Sequence, residues 1–165
     1  MFVASEGIEA LGGVGYLEPS GMPRLFRDMQ VAPVWEGTTN ILSLDIWRAL
    51  GKDKSLSIFI SDVKSKLSPS TSHVVRTLVL SACDNLVAFA ARCEKDTHLL
   101  ETSARHFAYN LSKLYIAALF ADHSSFTKDP VDEECAVRWA QRSLYVTAGS
   151  YDAKYQEMSK RIAKL

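Results

Sequence analysis

One carboxylate in this 165-residue chain sits where a carboxylate could do chemistry. Glu36 follows Val34 and Trp35 and precedes Gly37, in the stretch Val34-Trp35-Glu36-Gly37-Thr38-Thr39-Asn40. A glutamate titrates near ~4.3 in water, and apolar surroundings push that value upward by disfavouring the charged form, which suits a general base. Gly37 would let a flat ring or a substrate come close to the backbone. The positive end of a helix beginning at Thr38 acts the other way, so the net shift stays open. A plainer assignment also stands, an acid favoured in the first helical turn by the dipole. Thr38 and Asn40 bring polar groups to the same helix start, as caps or as ligand contacts. Upstream, Gly12-Gly13-Val14-Gly15 presents backbone that a phosphate can approach, though such a run also serves as a simple turn. Tyr16 and Trp35 read equally as pocket walls or as core plugs.

Other chemistry finds little support. Cys83, Cys93 and Cys135 are odd in number, form no C-x-x-C pair, and fall on apolar helix faces, so they read as buried free thiols in a reducing compartment. His73, His98, His106 and His123 lack metal-ligand spacing, and no metal site is expected. The 19 basic and 19 acidic residues cancel, which argues against a whole-chain footprint for nucleic acid or an anionic membrane. Residues 52–165 hold 16 Lys and Arg against 13 Asp and Glu, but "KDKS", "KSK" and "SKRIAK" lack aromatic interleaving and read as solvated helix faces. No apolar run approaches the ~18 residues of a membrane span, and the N-terminus has neither a basic region nor a long apolar region of a secretory signal. The expectation is a soluble intracellular chain.

The elements that must position these residues read as helices. Residues 1–11 look like the last turns of a helix stopped by Gly12 and Gly13. From 14 to 37, Gly15, Pro19, Gly21, Pro23, Pro33 and Gly37 predict an ordered loop, with one short helical turn in "GMPRLFRDM". A largely buried helix is expected from Thr38 to Leu50, ended by Gly51. Amphipathic helices follow over 55–67, 72–95 and 99–122, the second with Val75, Leu78, Val79, Ala82, Leu86, Phe89, Ala90 and Cys93 at the 3.6-residue period. The "SPSTS" loop offers caps for it. Asp129-Pro130-Val131-Asp132-Glu133 carries a cap, a proline at the first position and first-turn acids, and starts a helix to about Thr147. A last segment spans Tyr151 to Ile162. With no period-2 strand, the fold class is all-α, an up-and-down helical bundle, divided into residues 1–51 and an appended helical region, 52–165.

These residues also carry a resemblance. Glu9-Ala-Leu-Gly-Gly-Val-Gly-Tyr16, Arg27-Asp28, Trp35-Glu-Gly-Thr-Thr-Asn40 and Arg48 together resemble the C-terminal domain of acyl-CoA dehydrogenases. The tryptophan before Glu36 and the run Asn40 to Arg48 are most similar to the AidB-like subgroup, whose members also append helices after this point. The resemblance covers roughly residues 4–50. It implies a C-terminal piece of a larger FAD-dependent oxidoreductase that desaturates acyl-CoA thioesters at the α and β carbons and that assembles as a homodimer or homotetramer. It also implies that the 165 residues alone are colourless and inactive.

Residue by residue, the resemblance implies that Glu36 is the base. Thr38 and Asn40 would contact FAD, as would Gly12, Gly13 and Gly15, at the pyrophosphate or adenosine held by a neighbouring subunit. Tyr16, Trp35 and Gly37 would line the pocket. Arg48 is expected to be buried and paired with acids, Arg27 to anchor loop carbonyls, and Asp28 to cap a turn, all as structural support. Two departures matter: Glu9 stands where many members have glutamine and would repel phosphate, and Asn40 is shorter than the usual glutamine. Two other readings compete, an AidB-like nucleic-acid-associated helical module and a non-catalytic oligomerisation fragment.

Overall fold

A computed structural model describes residues 2–50, 55–144 and 161. Among the described residues every regular element is helical. They are α1 (Phe2–Ala10), α2 (Gly13–Tyr16), a 3-10 turn (Glu18–Ser20), α3 (Met22–Met29), α4 (Thr39–Leu50), α5 (Ser55–Ser65), α6 (His73–Cys93), α7 (Thr97–Thr127) and α8 (Pro130–Ser143). The all-α class therefore holds. The chain forms two compact units, residues 1–42 and 43–165, each described separately below.

In the first unit α1, α2, the 3-10 turn and α3 pack on one another. The loop expected over 14–37 is thus mostly short helices. Pro23 sits in the first turn of α3, where its missing N–H is no loss and its fixed φ favours the helix, so it starts the element it was expected to break. Gly21, at φ 75°, turns the chain between the 3-10 turn and α3. Besides Leu17 and Gly21, residues 30–38 remain irregular, tied by Val34 N–H to Val31 O at 2.9 Å and Trp35 N–H to Val31 O at 2.8 Å.

The second unit is built on α6, α7 and α8, with α5 against α6 and α7. Links of two or three residues join α6 to α7 and α7 to α8, so consecutive helices must reverse direction. The core gathers Val63, Val75, Val79, Cys83 and Leu86 with Leu114, Ala117, Ala118, Ala121, Ala136 and Ala140. The alanines of α7 and α8 let the two axes approach closely. Trp47 meets Phe107 edge-on, with centroids 5.0 Å apart, and Phe89 stacks on Phe107 at 6.0 Å. Asp96 caps α7 through His98 N–H and Leu99 N–H at 3.1 and 3.0 Å. Asp129 caps α8 as expected, accepting from Val131 N–H at 2.8 Å with Pro130 at the first position.

Several expectations are corrected. α7 runs to Thr127, well past residue 122, and ends at Lys128 in the left-handed region (φ 56°). Ser72 stands at the start of α6 without a side-chain cap bond. Cys83 and Cys93 are buried, but Cys135 is exposed, because α8 turns Ala136 and Ala140 inward and the position before Ala136 outward. α6 has the length and mean apolarity of a bilayer span, which no unbroken run in the sequence suggested. Its Val75, Val79, Ala82, Cys83, Leu86, Ala90 and Cys93 are buried, the pattern of a core helix. Gly51, the first three residues of "KDKS" (Lys52, Asp53 and Lys54) and the Tyr151–Ile162 segment, apart from Arg161, lie outside the described residues.

Candidate active site

α3 leads into the segment that carries Glu36. Gln30 N–H donates to Arg27 O at 3.0 Å and Val31 N–H to Asp28 O at 3.2 Å, so the end of the helix fixes where this segment begins. Gly37 has φ 138°, a conformation that L side chains rarely adopt, and it turns the chain from Glu36 into α4. Thr38 accepts Leu42 N–H through its carbonyl at 3.0 Å, which makes it the residue that opens α4. Glu36 therefore precedes the helix and is not a first-turn acid, which removes the plainer assignment.

Its surroundings differ from those expected. Glu36 is exposed, and so are Val34, Trp35 (76%), Thr38 and Asn40. Tyr16 is exposed to 80%, so neither aromatic is a core plug within the first unit. An aromatic side chain left in water forgoes the burial of ~150–250 Å² that it offers, and several such residues together mark a surface meant to be covered. Leu11, Val14, Leu17 and Leu25 are exposed on the same unit.

The glycine segment is open as well. Gly12 adopts φ 59°, and nothing lies within 4 Å of a Cβ built on either Gly12 or Gly13. Gly15 is buried against α1. Gly12, Gly13, Tyr16, Arg27 and Asp28 thus lie exposed on the one unit that contains α1, α2, the 3-10 turn and α3, with Trp35 to Asn40 following from α3 along the chain.

The supporting residues are rearranged. Arg27 does not reach loop carbonyls. Its Nη1 and Nη2 donate to Oε1 and Oε2 of Glu18 at 2.9 and 3.1 Å, a planar fork on a carboxylate. That hydrogen bond, helped by the guanidinium charge, holds the Glu18 carboxyl below its ordinary range. Asp28 pairs with Arg24 at 3.8 Å, one turn back on α3, and does not cap a turn. Arg48 is paired with Asp45 but is not buried, its side chain 70% exposed. α4 turns Ser43, Trp47 and Leu50 toward the protein, and Asp45 and Arg48 lie on the other face. That helix is accordingly only partly buried, with Ser43 its one buried residue.

Glu18 was missed by the sequence reading. Its arginine partner stands nine residues away, across Gly21 and Pro23, a separation that matches no helical or strand spacing. Elsewhere, a cleft of about 170 Å³ lined by Ser70, Ser124, Ser125, Lys128, Asp129, Pro130 and Glu133 contains no predicted site residue. Lys64 and Lys66 of the "KSK" run pair with Asp84 and Asp62 at 4.0 and 3.6 Å, as solvated faces do. Among the described residues no group of three His, Cys, Asp or Glu side chains converges as a metal site would require.

A family model described as "Acyl-CoA dehydrogenase 11 C-terminal domain-like" matches residues 54–163. The chain belongs to the acyl-CoA dehydrogenase family. A second family model, "Acyl-CoA dehydrogenase, C-terminal domain", matches residues 1–51. Acyl-CoA dehydrogenase family member 11 of Caenorhabditis elegans is 37% identical, over 74% of this chain and 22% of its own length. The putative acyl-CoA dehydrogenase AidB of Escherichia coli (strain K12) is 48% identical over 37% of this chain and 11% of its own length, which supports the AidB-like resemblance. The crystal structure of C. elegans ACDH-11 in complex with C11-CoA matches with a TM-score of 0.79 and 30% identity, over 96% of this chain and 29% of that one. This acyl-CoA dehydrogenase chain spans less than a third of the length of these relatives.

Proposed function

We propose that the chain is the C-terminal helical part of an FAD-dependent acyl-CoA dehydrogenase in which Glu36 is the base that removes the α-proton of an acyl-CoA thioester. Residues 1–51 would carry the flavin and substrate loop, and residues 52–165 the appended helices. The observation that carries the reading is the placement of Glu36. It stands one residue ahead of a φ 138° glycine at the mouth of α4, beside an exposed Trp35, in a chain of this family.

The residues fit the flavin. Gly12 and Gly13 present open backbone suited to a pyrophosphate, while Thr38 and Asn40 bring a hydroxyl and an amide to the start of α4. Tyr16 and Trp35 offer uncovered aromatic faces for a ring or an acyl chain. Bound FAD would supply the acceptor for the β-hydride. The chain's own part is to cover that ring, exclude water with its exposed apolar residues, and hold the Glu36 carboxylate against the α-carbon. Covering the site would exclude water from Glu36, and Gly37 would leave room for the thioester beside it.

Two preparations test this reading. A protein of the relatives' full length should purify yellow and lose its flavin colour on anaerobic addition of an acyl-CoA. The 165-residue chain alone should be colourless and inactive. A full-length protein without flavin, or whose flavin stays oxidised with every acyl-CoA tried, would contradict it. A homodimer or homotetramer is the proposed assembly of the full-length protein.

A further inference from the structure

We propose that Glu18 is a positioning residue of the flavin site: its fork with Arg27 sets the placement of the glycine segment relative to Glu36. This rests on the reading of Gly12, Gly13 and Glu36 given above.

The glycine segment is held at two ends. On one side Gly15 lies against α1 so closely that a Cβ would stand 2.4 Å from Ile8 O. On the other, the chain leaves α2 at Leu17 and enters the 3-10 turn at Glu18. The carboxylate there takes both guanidinium nitrogens of Arg27, in the last turn of α3. Arg27 in turn accepts Gln30 N–H through its carbonyl, which is where the segment carrying Glu36 begins. One arginine thus meets both stretches of chain: through its side chain Glu18, which follows the glycine segment after α2, and through its backbone the start of the base segment. Gly21 at φ 75° turns the chain between Glu18 and α3, where Gly21 N–H donates to Glu18 O at 3.0 Å and Met22 N–H to Ser20 Oγ at 3.2 Å, and the fork adds a side-chain bridge across that turn.

The pair is not there for stability. The Arg27 and Glu18 side chains are 60% and 67% exposed, and such pairs contribute little. What a two-point fork supplies is orientation, because the planar guanidinium matches a carboxylate in one geometry and an ammonium does not.

The test uses the full-length flavoprotein with E18Q, R27K and the double variant E18Q/R27K. FAD dissociation constant, kcat, KM for acyl-CoA and melting temperature are measured on each. Each single variant is expected to weaken FAD about 5- to 10-fold and to lower kcat about 10-fold, since small misplacements near reacting groups are costly. KM should stay within about 2-fold, and melting temperature within a few degrees. The double variant should match the worse single, because both changes break one contact. Wild-type FAD affinity and kcat in E18Q, or multiplicative losses in the double variant, would overturn the proposal. So would a fall in melting temperature that accounts for all the lost activity. If Glu36 is not the base, E36Q keeps turnover while the FAD affinities of E18Q and R27K still fall, so the two ideas fail separately.

Discussion

Gly15 and the carbonyl of Ile8 are in direct contact, leaving room for a Cβ only 2.4 Å from that oxygen. α2 can lie on α1 only because residue 15 has no side chain. Gly15→Ala must therefore push the two helices apart, at a cost of about 1–3 kcal/mol by the usual price of overpacking. Chemical denaturation of the 165-residue chain should show that loss, and the full-length protein should retain less flavin. Unchanged stability would mean that α2 swings away freely and does not hold the glycine segment.

The core of the second unit is legible in the sequence. Val75, Val79, Ala82, Leu86, Ala90 and Cys93 recur at the helical period because one face of α6 must leave water, and each is buried. The Asp129-Pro130 start of α8 was equally plain, since cap and proline act locally. The first unit was harder. Pro23 reads as a breaker unless it falls in a first turn, and that depends on Gly21 turning the chain just before it. Arg48 sits among apolar neighbours in sequence, but successive helical residues point about 100° apart, so Trp47 can face in while Arg48 faces out. The Arg27–Glu18 fork is a tertiary choice of partner, and no local pattern encodes it.

Deleting side-chain volume at the centre of the second unit should be expensive. Leu114 is fully buried in the core. Leu114→Ala is expected to cost about 2–5 kcal/mol, with Leu→Ala changes at surface positions such as Leu119 costing far less. Denaturant midpoints at constant slope would check both.

The three cysteines should separate by reactivity. Burial pushes the Cys83 thiol up to about 11 and the Cys93 thiol upward as well. Both stay protonated and shielded at neutral pH, while Cys135 is exposed. A colourimetric thiol reagent should modify one cysteine of the folded 165-residue chain quickly and the other two only on unfolding. The folded state holds the Cys83 proton more tightly than the unfolded chain, whose thiol titrates near 9.0. This contribution is therefore complete below pH 9 and is lost as pH rises from 9 towards about 11. Cys83→Ala or Cys83→Ser should flatten that alkaline loss.

At the acid end the sign is opposite. The Arg27 hydrogen bond holds the Glu18 carboxyl below its ordinary 4.5, so the folded state binds that proton less tightly than the unfolded chain. The fork is intact above the ordinary value and loosens as pH falls through the lower folded one. An NMR titration should find the Glu18 carboxyl depressed in the wild type and returned toward 4.5 in Arg27→Gln. An identical titration in both would break the link between the two side chains.

The central claim is that the Glu36 carboxylate takes the α-proton. The direct measurement is exchange of acyl-CoA α-hydrogens with deuterated solvent by full-length protein carrying Glu36→Gln, with flavin content measured on the same sample. The account predicts full flavin occupancy with exchange and turnover lowered about 100- to 10,000-fold, the range for loss of a positioned base. Exchange at the wild-type rate with flavin bound would place the base on another residue.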